Sequence, residues 1–115
     1  MIEEDYVSFE LAKILKEKGF DEPTMSFFRG DKIVWQEAFY PTDIKRPTLQ
    51  MAQKWLRETY EFDICVVPTF DKDNYKAYYY LVIDIQHHIQ EESGLYEDYD
   101  NCWGDAIKYC LEKLI

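Results

Sequence analysis

Two adjacent histidines, His87 and His88, follow the most strand-like stretch of the chain, with Asp84 before them and Glu91 just beyond. Imidazole beside carboxylate is what a metal centre or a general base requires, because the carboxylate orients the ring and raises its basicity. Neighbouring residues on an extended chain point to opposite faces, so this pair is poorly placed to share one ion. The cysteines do not supply a site either. Cys102 and Cys110 are eight residues apart, Cys65 is distant, and no two stand at zinc-ligand spacing. Cys65 sits among Ile64, Val66 and Val67, and Cys110 falls on an apolar helical stripe, so both read as packing residues. Cys102 lies among acids, the wrong setting for a reactive thiolate. There is no P-loop, GxGxxG, GxSxG or HExxH motif. The sequence therefore assigns no catalytic residue, cofactor or metal.

The strongest signal is charge. Residues 77–107 hold seven acids (Asp84, Glu91, Glu92, Glu97, Asp98, Asp100 and Asp105) and no Lys or Arg, while the remainder has 16 acidic and 13 basic residues. Such a segment repels phosphate backbones, which excludes unaided nucleic-acid binding. It reads either as a solvated face or as an acidic surface that steers a basic partner. Tyrosines mark the same region: Tyr75, Tyr78, Tyr79 and Tyr80 crowd one strand, and Tyr96 and Tyr99 stand among the acids. Stacking on nucleic-acid bases needs a basic groove that is missing here. Tyr mixed with acids suits a protein interface, and cross-strand aromatic packing is the plainer expectation for the rest. Candidate partner-binding residues are thus Glu91, Glu92, Tyr96, Glu97, Asp98, Tyr99 and Asp100.

Positioning these residues falls to a short set of elements. The chain has 115 residues, 47% of them hydrophobic, which fits one domain spanning 1–115. Val7, Leu11, Ile14 and Leu15 recur at helical period, with Asp5 or Ser8 as cap and Gly19 as stop. Residues 24–29 and 32–39 read as strands joined by the Gly30-Asp31 turn, with Ile33, Trp35, Glu37 and Phe39 sharing one buried face. Residues 40–47 read as a loop. A helix over 48–60 carries Leu49, Ala52, Leu56 and Tyr60 on one stripe, capped by Thr48. Residues 62–70 form a strand that Pro68 confines to an edge or bulge. The polar turn 71–74 leads into the strand 75–85, whose apolar run places it centrally and covered on both faces, with Leu81 and Ile83 in the core. After a loose stretch, Trp103, Ile107, Cys110, Leu111 and Leu114 mark the last helix. The order α-β-β-α-β-β-α predicts an α+β fold, a small, mostly antiparallel four-stranded sheet packed with three helices.

The start of the chain is acidic where a secretory leader would be basic, and the longest apolar run, 77–83, is strand-sized. With three unpaired thiols, a cytoplasmic protein without membrane association is expected. Asp5-Tyr6-Val7-Ser8-Phe9-Glu10-Leu11-Ala12 through Lys16-Glu17-Lys18-Gly19-Phe20-Asp21-Glu22-Pro23, Pro47-Thr48-Leu49-Gln50-Met51-Ala52-Gln53-Lys54-Trp55-Leu56-Arg57-Glu58 and Ala106-Ile107-Lys108-Tyr109-Cys110-Leu111-Glu112-Lys113-Leu114-Ile115 resemble segments of a group of small phage- and prophage-associated bacterial proteins of unknown function. That resemblance implies a mobile-element origin and brings no functional residues with it. The expectation is a non-enzymatic accessory protein that binds a basic protein surface through residues 84–105, one form of which is mimicry of nucleic-acid charge. The alternative is a small hydrolase-like enzyme using Asp84, His88 and the carboxylates of residues 84–92.

Overall fold

A computed structural model of the chain describes residues 4–35 and 38–115. Helix α1 is Phe9–Glu17, α2 is Leu49–Tyr60 and α3 is Tyr99–Tyr109, the last running into a π-helical turn, Cys110–Leu114. The strands are β1 (Ser26–Arg29), β2 (Lys32–Trp35), β3 (Ile44–Lys45), β4 (Phe62–Phe70), β5 (Lys76–Asp84) and β6 (Ile89–Glu92). The α+β class and the order of elements agree with the sequence. The single four-stranded sheet does not: the strands form two three-stranded antiparallel sheets, β2-β1-β3 and β4-β5-β6. The two additional strands are short. Two-residue β3 lies in the expected loop before Pro47, and β6, exposed along its whole length, shows no apolar alternation. The chain divides into two units, Met1–Ala52 and Gln53–Ile115, with the boundary inside α2.

In the first unit, Ser8 caps α1 by accepting from the Leu11 amide at 3.1 Å. Gly19 ends the helix at φ 99°, a conformation that costs glycine little, and Phe20 turns back into the core. Gly30 turns the β1–β2 hairpin at φ 62°, as its sequence predicts. Segment 40–46 is held by Asp43, which is wholly buried. Its carboxylate accepts from Arg29 Nε and Nη2 at 3.1 and 2.9 Å and from the Tyr40 amide at 2.9 Å. The Arg29 hydrogen bond, opposed by burial, holds this carboxyl below its usual range. Ile33 and Trp35 do share a face, but that face is open: they are 47% and 49% exposed, and Phe39 is exposed as well. β2 is an edge strand of a small sheet, with three of its four residues exposed and Val34 half-buried. Glu37 lies outside the described residues.

In the second unit, Asp71 accepts from the Asp73 and Tyr75 amides and closes the β4–β5 turn, with Asn74 in the left-handed region. β5 is the central strand and β4, which carries Pro68, is an edge, both as expected. α3 packs across β4 and β5. Register puts Phe62, Ile64 and Val66 on one sheet face with Asp84, Val82 and Tyr80. Ala106, Ile107, Cys110 and Leu111 are fully buried, and so is Leu56 of α2. Leu81 and Ile83, on the opposite face, are only half-buried. Among the described residues no helix is long and apolar enough to cross a membrane.

Leu111→Ala removes a fully buried side chain from this layer. The expected destabilisation is about 2–5 kcal/mol, seen as a lower midpoint in chemical denaturation with an unchanged slope.

Candidate binding surface

The acidic residues of 84–105 divide by what their side chains do. Asp84 is buried and serves the β5–β6 turn. Its carboxylate accepts from the His87 amide at 3.3 Å and lies 2.8 Å from His87 Nδ1. His88 is exposed, with its backbone in the left-handed region at φ 55°. The structure thus pairs Asp84 with His87 and not with His88. Asp98 caps α3, accepting from the Asp100 amide at 3.4 Å. Asp105 accepts a 2.8 Å hydrogen bond from the Tyr96 hydroxyl.

The remaining acids are presented outward. β6 is the last strand of its sheet, pairing Glu92 with Leu81 and Glu91 with Val82, and all four of its residues are exposed. Beyond it the chain stays along β5. The Ser93 amide donates to the Tyr80 carbonyl, and Ser93 Oγ accepts from the Tyr80 amide at 2.8 Å. Tyr96 then exchanges two backbone hydrogen bonds with Tyr78, at 2.7 and 2.8 Å. Glu97, Asp98, Tyr99 and Asp100 follow, all exposed. The resulting strip is acidic and apolar together, since Ile89, Leu95 and Tyr99 are 37%, 55% and 43% exposed.

Beneath the strip lies an aromatic layer. Tyr99 meets Tyr78 and Trp103 edge-on, and Tyr80 lies against both Tyr96 and Tyr109. Burial raises the hydroxyl pKa of all three of Tyr80, Tyr96 and Tyr109, and neighbouring carboxylates add to it: Asp105 at Tyr80 and Tyr96, Glu91 at Tyr109. The thiols respond in the same way. Burial and then Asp105 push Cys102 up to about 11, and burial and then Asp84 push Cys110 up to about 12. Neutral hydroxyls and thiols under outward carboxylates make a surface able to attract cations and ill-suited to nucleophilic catalysis. Among the described residues no group of three or more His, Cys, Asp or Glu side chains is arranged to hold a metal ion.

Of the sequence candidates, Glu91, Glu92, Glu97, Asp98, Tyr99 and Asp100 come together along one edge, while Tyr96 is half-buried and ties the edge down. Two participants escaped the sequence. Ile89 and Leu95 carry no pattern that separates an exposed apolar residue from a buried one. A further concentration of aromatic side chains, around Arg46 in the first unit, is assembled from segments far apart in the chain. No family model matches the chain, and no similarity to a curated protein or a solved structure is found.

The thiols offer a check on this environment. Near neutral pH a thiol reagent should label the exposed Cys65 quickly, and Cys102 and Cys110 only after unfolding. Because the folded pKa values of those two lie above their ordinary value of 9.0, the protonated thiols contribute their full stability below pH 9.0. That contribution is lost as pH rises through about 11 and 12. Denaturation midpoints that hold constant across this range would contradict the assignment.

Proposed function

We propose that the chain is a non-catalytic binding protein whose β6 edge and α3 start, residues 89–100, dock a protein with a basic surface. What supports this is one observation. The outermost strand of a sheet carries exposed Glu91 and Glu92 beside exposed Ile89 and Leu95, in a 31-residue stretch with no Lys or Arg. Carboxylates on such a strip steer a basic partner and set orientation, while the apolar side chains and Tyr99 supply area. Identical acidic strips repel one another, so the same charge guards the open edge against self-pairing. The phage and prophage resemblance fits a small accessory protein acting in the cytoplasm, with a DNA-binding protein engaged by charge mimicry as one form of partner. A hydrolase would have to be built on the Asp84–His87 pair. That pair's carboxylate is already committed to the turn, and the buried thiols beside the sheet stay protonated.

A pull-down from bacterial lysate compares the native chain with a variant in which Glu91, Glu92, Glu97 and Asp100 become Lys and Asp98 becomes Asn. Asn preserves the cap of α3. The native protein should retain a partner at low salt that the folded variant loses. Retention should weaken near 1 M salt, where screening shortens the Debye length to about 3 Å. A partner held equally by both proteins, or more strongly at high salt, would refute the proposal.

A further inference from the structure

In the first unit, segment 4–9 and the open face of β1 and β2 border an open cleft of about 690 Å³. That is the size range of small-ligand sites, roughly 300–1,000 Å³. Its walls are aromatic: Tyr6 meets Trp35 edge-on at 5.6 Å, and Phe9 meets Phe28 at 5.3 Å. Phe9, Ile33 and Trp35 all remain substantially exposed around it. Into this setting comes Arg46, from the end of the β3 segment. Its guanidinium carbon stands 4.0 Å from the Tyr6 ring centre, 5.5 Å from Trp35 and 5.9 Å from Phe28. Nη1 donates to the buried Ser26 Oγ at 3.2 Å, which with the backbone bond from Arg46 to Ser26 fixes the side chain's root.

Among the described residues no carboxylate forms an ion pair with Arg46. A guanidinium has five N–H donors in a planar fork. Here one is spent on a hydroxyl, and the groups stacked against the charge are the ring faces of Tyr6, Trp35 and Phe28. Arginine held in this way is weakly hydrated and suited to bidentate recognition of a carboxylate. Glu4 and Asp5 also line the cleft, and their charge opposes a multiply charged anion such as phosphate. A single negative charge joined to a flat apolar body satisfies both conditions. We infer that this cleft binds an aromatic carboxylate, with its ring against Trp35, Ile33 and Phe9 and its carboxylate on Arg46. Such a group is found on a free small molecule and at a peptide C-terminus that ends in an aromatic residue. The cleft and the acidic strip belong to different units, so this inference does not rest on the proposed docking function.

The test is a titration of the isotopically labelled full chain followed by NMR at Arg46 Nε–H and the Trp35 indole N–H. The probes are 3-phenylpropionate, N-acetyl-phenylalanine as a peptide C-terminus, and the uncharged 3-phenylpropionamide. Saturable shifts with a dissociation constant on the order of a millimolar suit ligands of this size. The better of the two carboxylates identifies the source, and the amide should bind about tenfold or more weakly than 3-phenylpropionate. Arg46→Lys keeps the charge without the fork and should reduce that preference; Arg46→Gln should abolish it. Equal binding of amide and carboxylate by the native chain, or no saturable shift with either carboxylate, would show Arg46 to be a packing strut and overturn the inference without recourse to any variant.

Discussion

The presentation of the acidic strip depends on how Tyr96 is tied. Its backbone exchanges two hydrogen bonds with Tyr78 on the central strand of its sheet, and its hydroxyl reaches Asp105 on α3. A segment of five successive acids and tyrosines, residues 96–100, would otherwise be a solvated loop, with no fixed arrangement of charge. Strand pairing keeps Glu91 and Glu92 on the sheet edge, Ser93 holds the chain against Tyr80, and the Tyr96 tie delivers Asp98 to the N-terminus of α3. A negative side chain there satisfies free amides and complements the helix dipole. The acids therefore share one frame, because β6 and Tyr96 both pair with β5 and α3 packs on it.

That frame has an electrostatic consequence. Every group buried next to the strip and shifted by it is shifted the same way, toward its neutral form. Low-dielectric surroundings penalise a second negative charge near Asp84, Asp105 or Glu91, so hydroxyls and thiols keep their protons. The Tyr96 hydroxyl can then serve as a donor to Asp105 without competing charge. The carboxylates that face outward keep their negative potential for whatever approaches from solvent. The first unit solves the opposite problem: Asp43 is buried and ionised, and Arg29, itself lying 4.0 Å over the Tyr40 ring, neutralises it.

The helices and tight turns were legible because their signals are local. Leu11 and Leu15, Ala52 and Leu56, Ile107 and Leu111 recur at helical period, and Ser8, Thr48, Gly19 and Gly30 act within a few residues of their positions. Sheet membership is not local. β3 is recruited by pairing Lys45 with Phe27, and β6 by pairing Glu91 with Val82, so neither needs a pattern of its own. The alternation of Ile33 and Trp35 was readable, but whether their shared face would be closed depended on the partners β2 would find. At the candidate surface the charge count was visible in the sequence. The inward use of Asp84, and the fixed roles of Asp98 and Asp105, were visible only in three dimensions. Arg46 gave no signal, since Tyr6, Phe28 and Trp35 surround it from three separate segments.

The central claim, that residues 89–100 are the docking surface, is tested most directly by titrating isotopically labelled protein with an extended peptide of alternating Lys and Val. Such a peptide can add to an open strand edge while its charges meet Glu91, Glu92 and Glu97. Backbone shifts concentrated on β6 and on residues 93–100, and abolished by high salt, are the expected result. Shifts spread evenly over exposed acids elsewhere, such as Glu17 and Glu58, or no shifts even at low salt, would mean that the strip is a solvated face and not a binding surface.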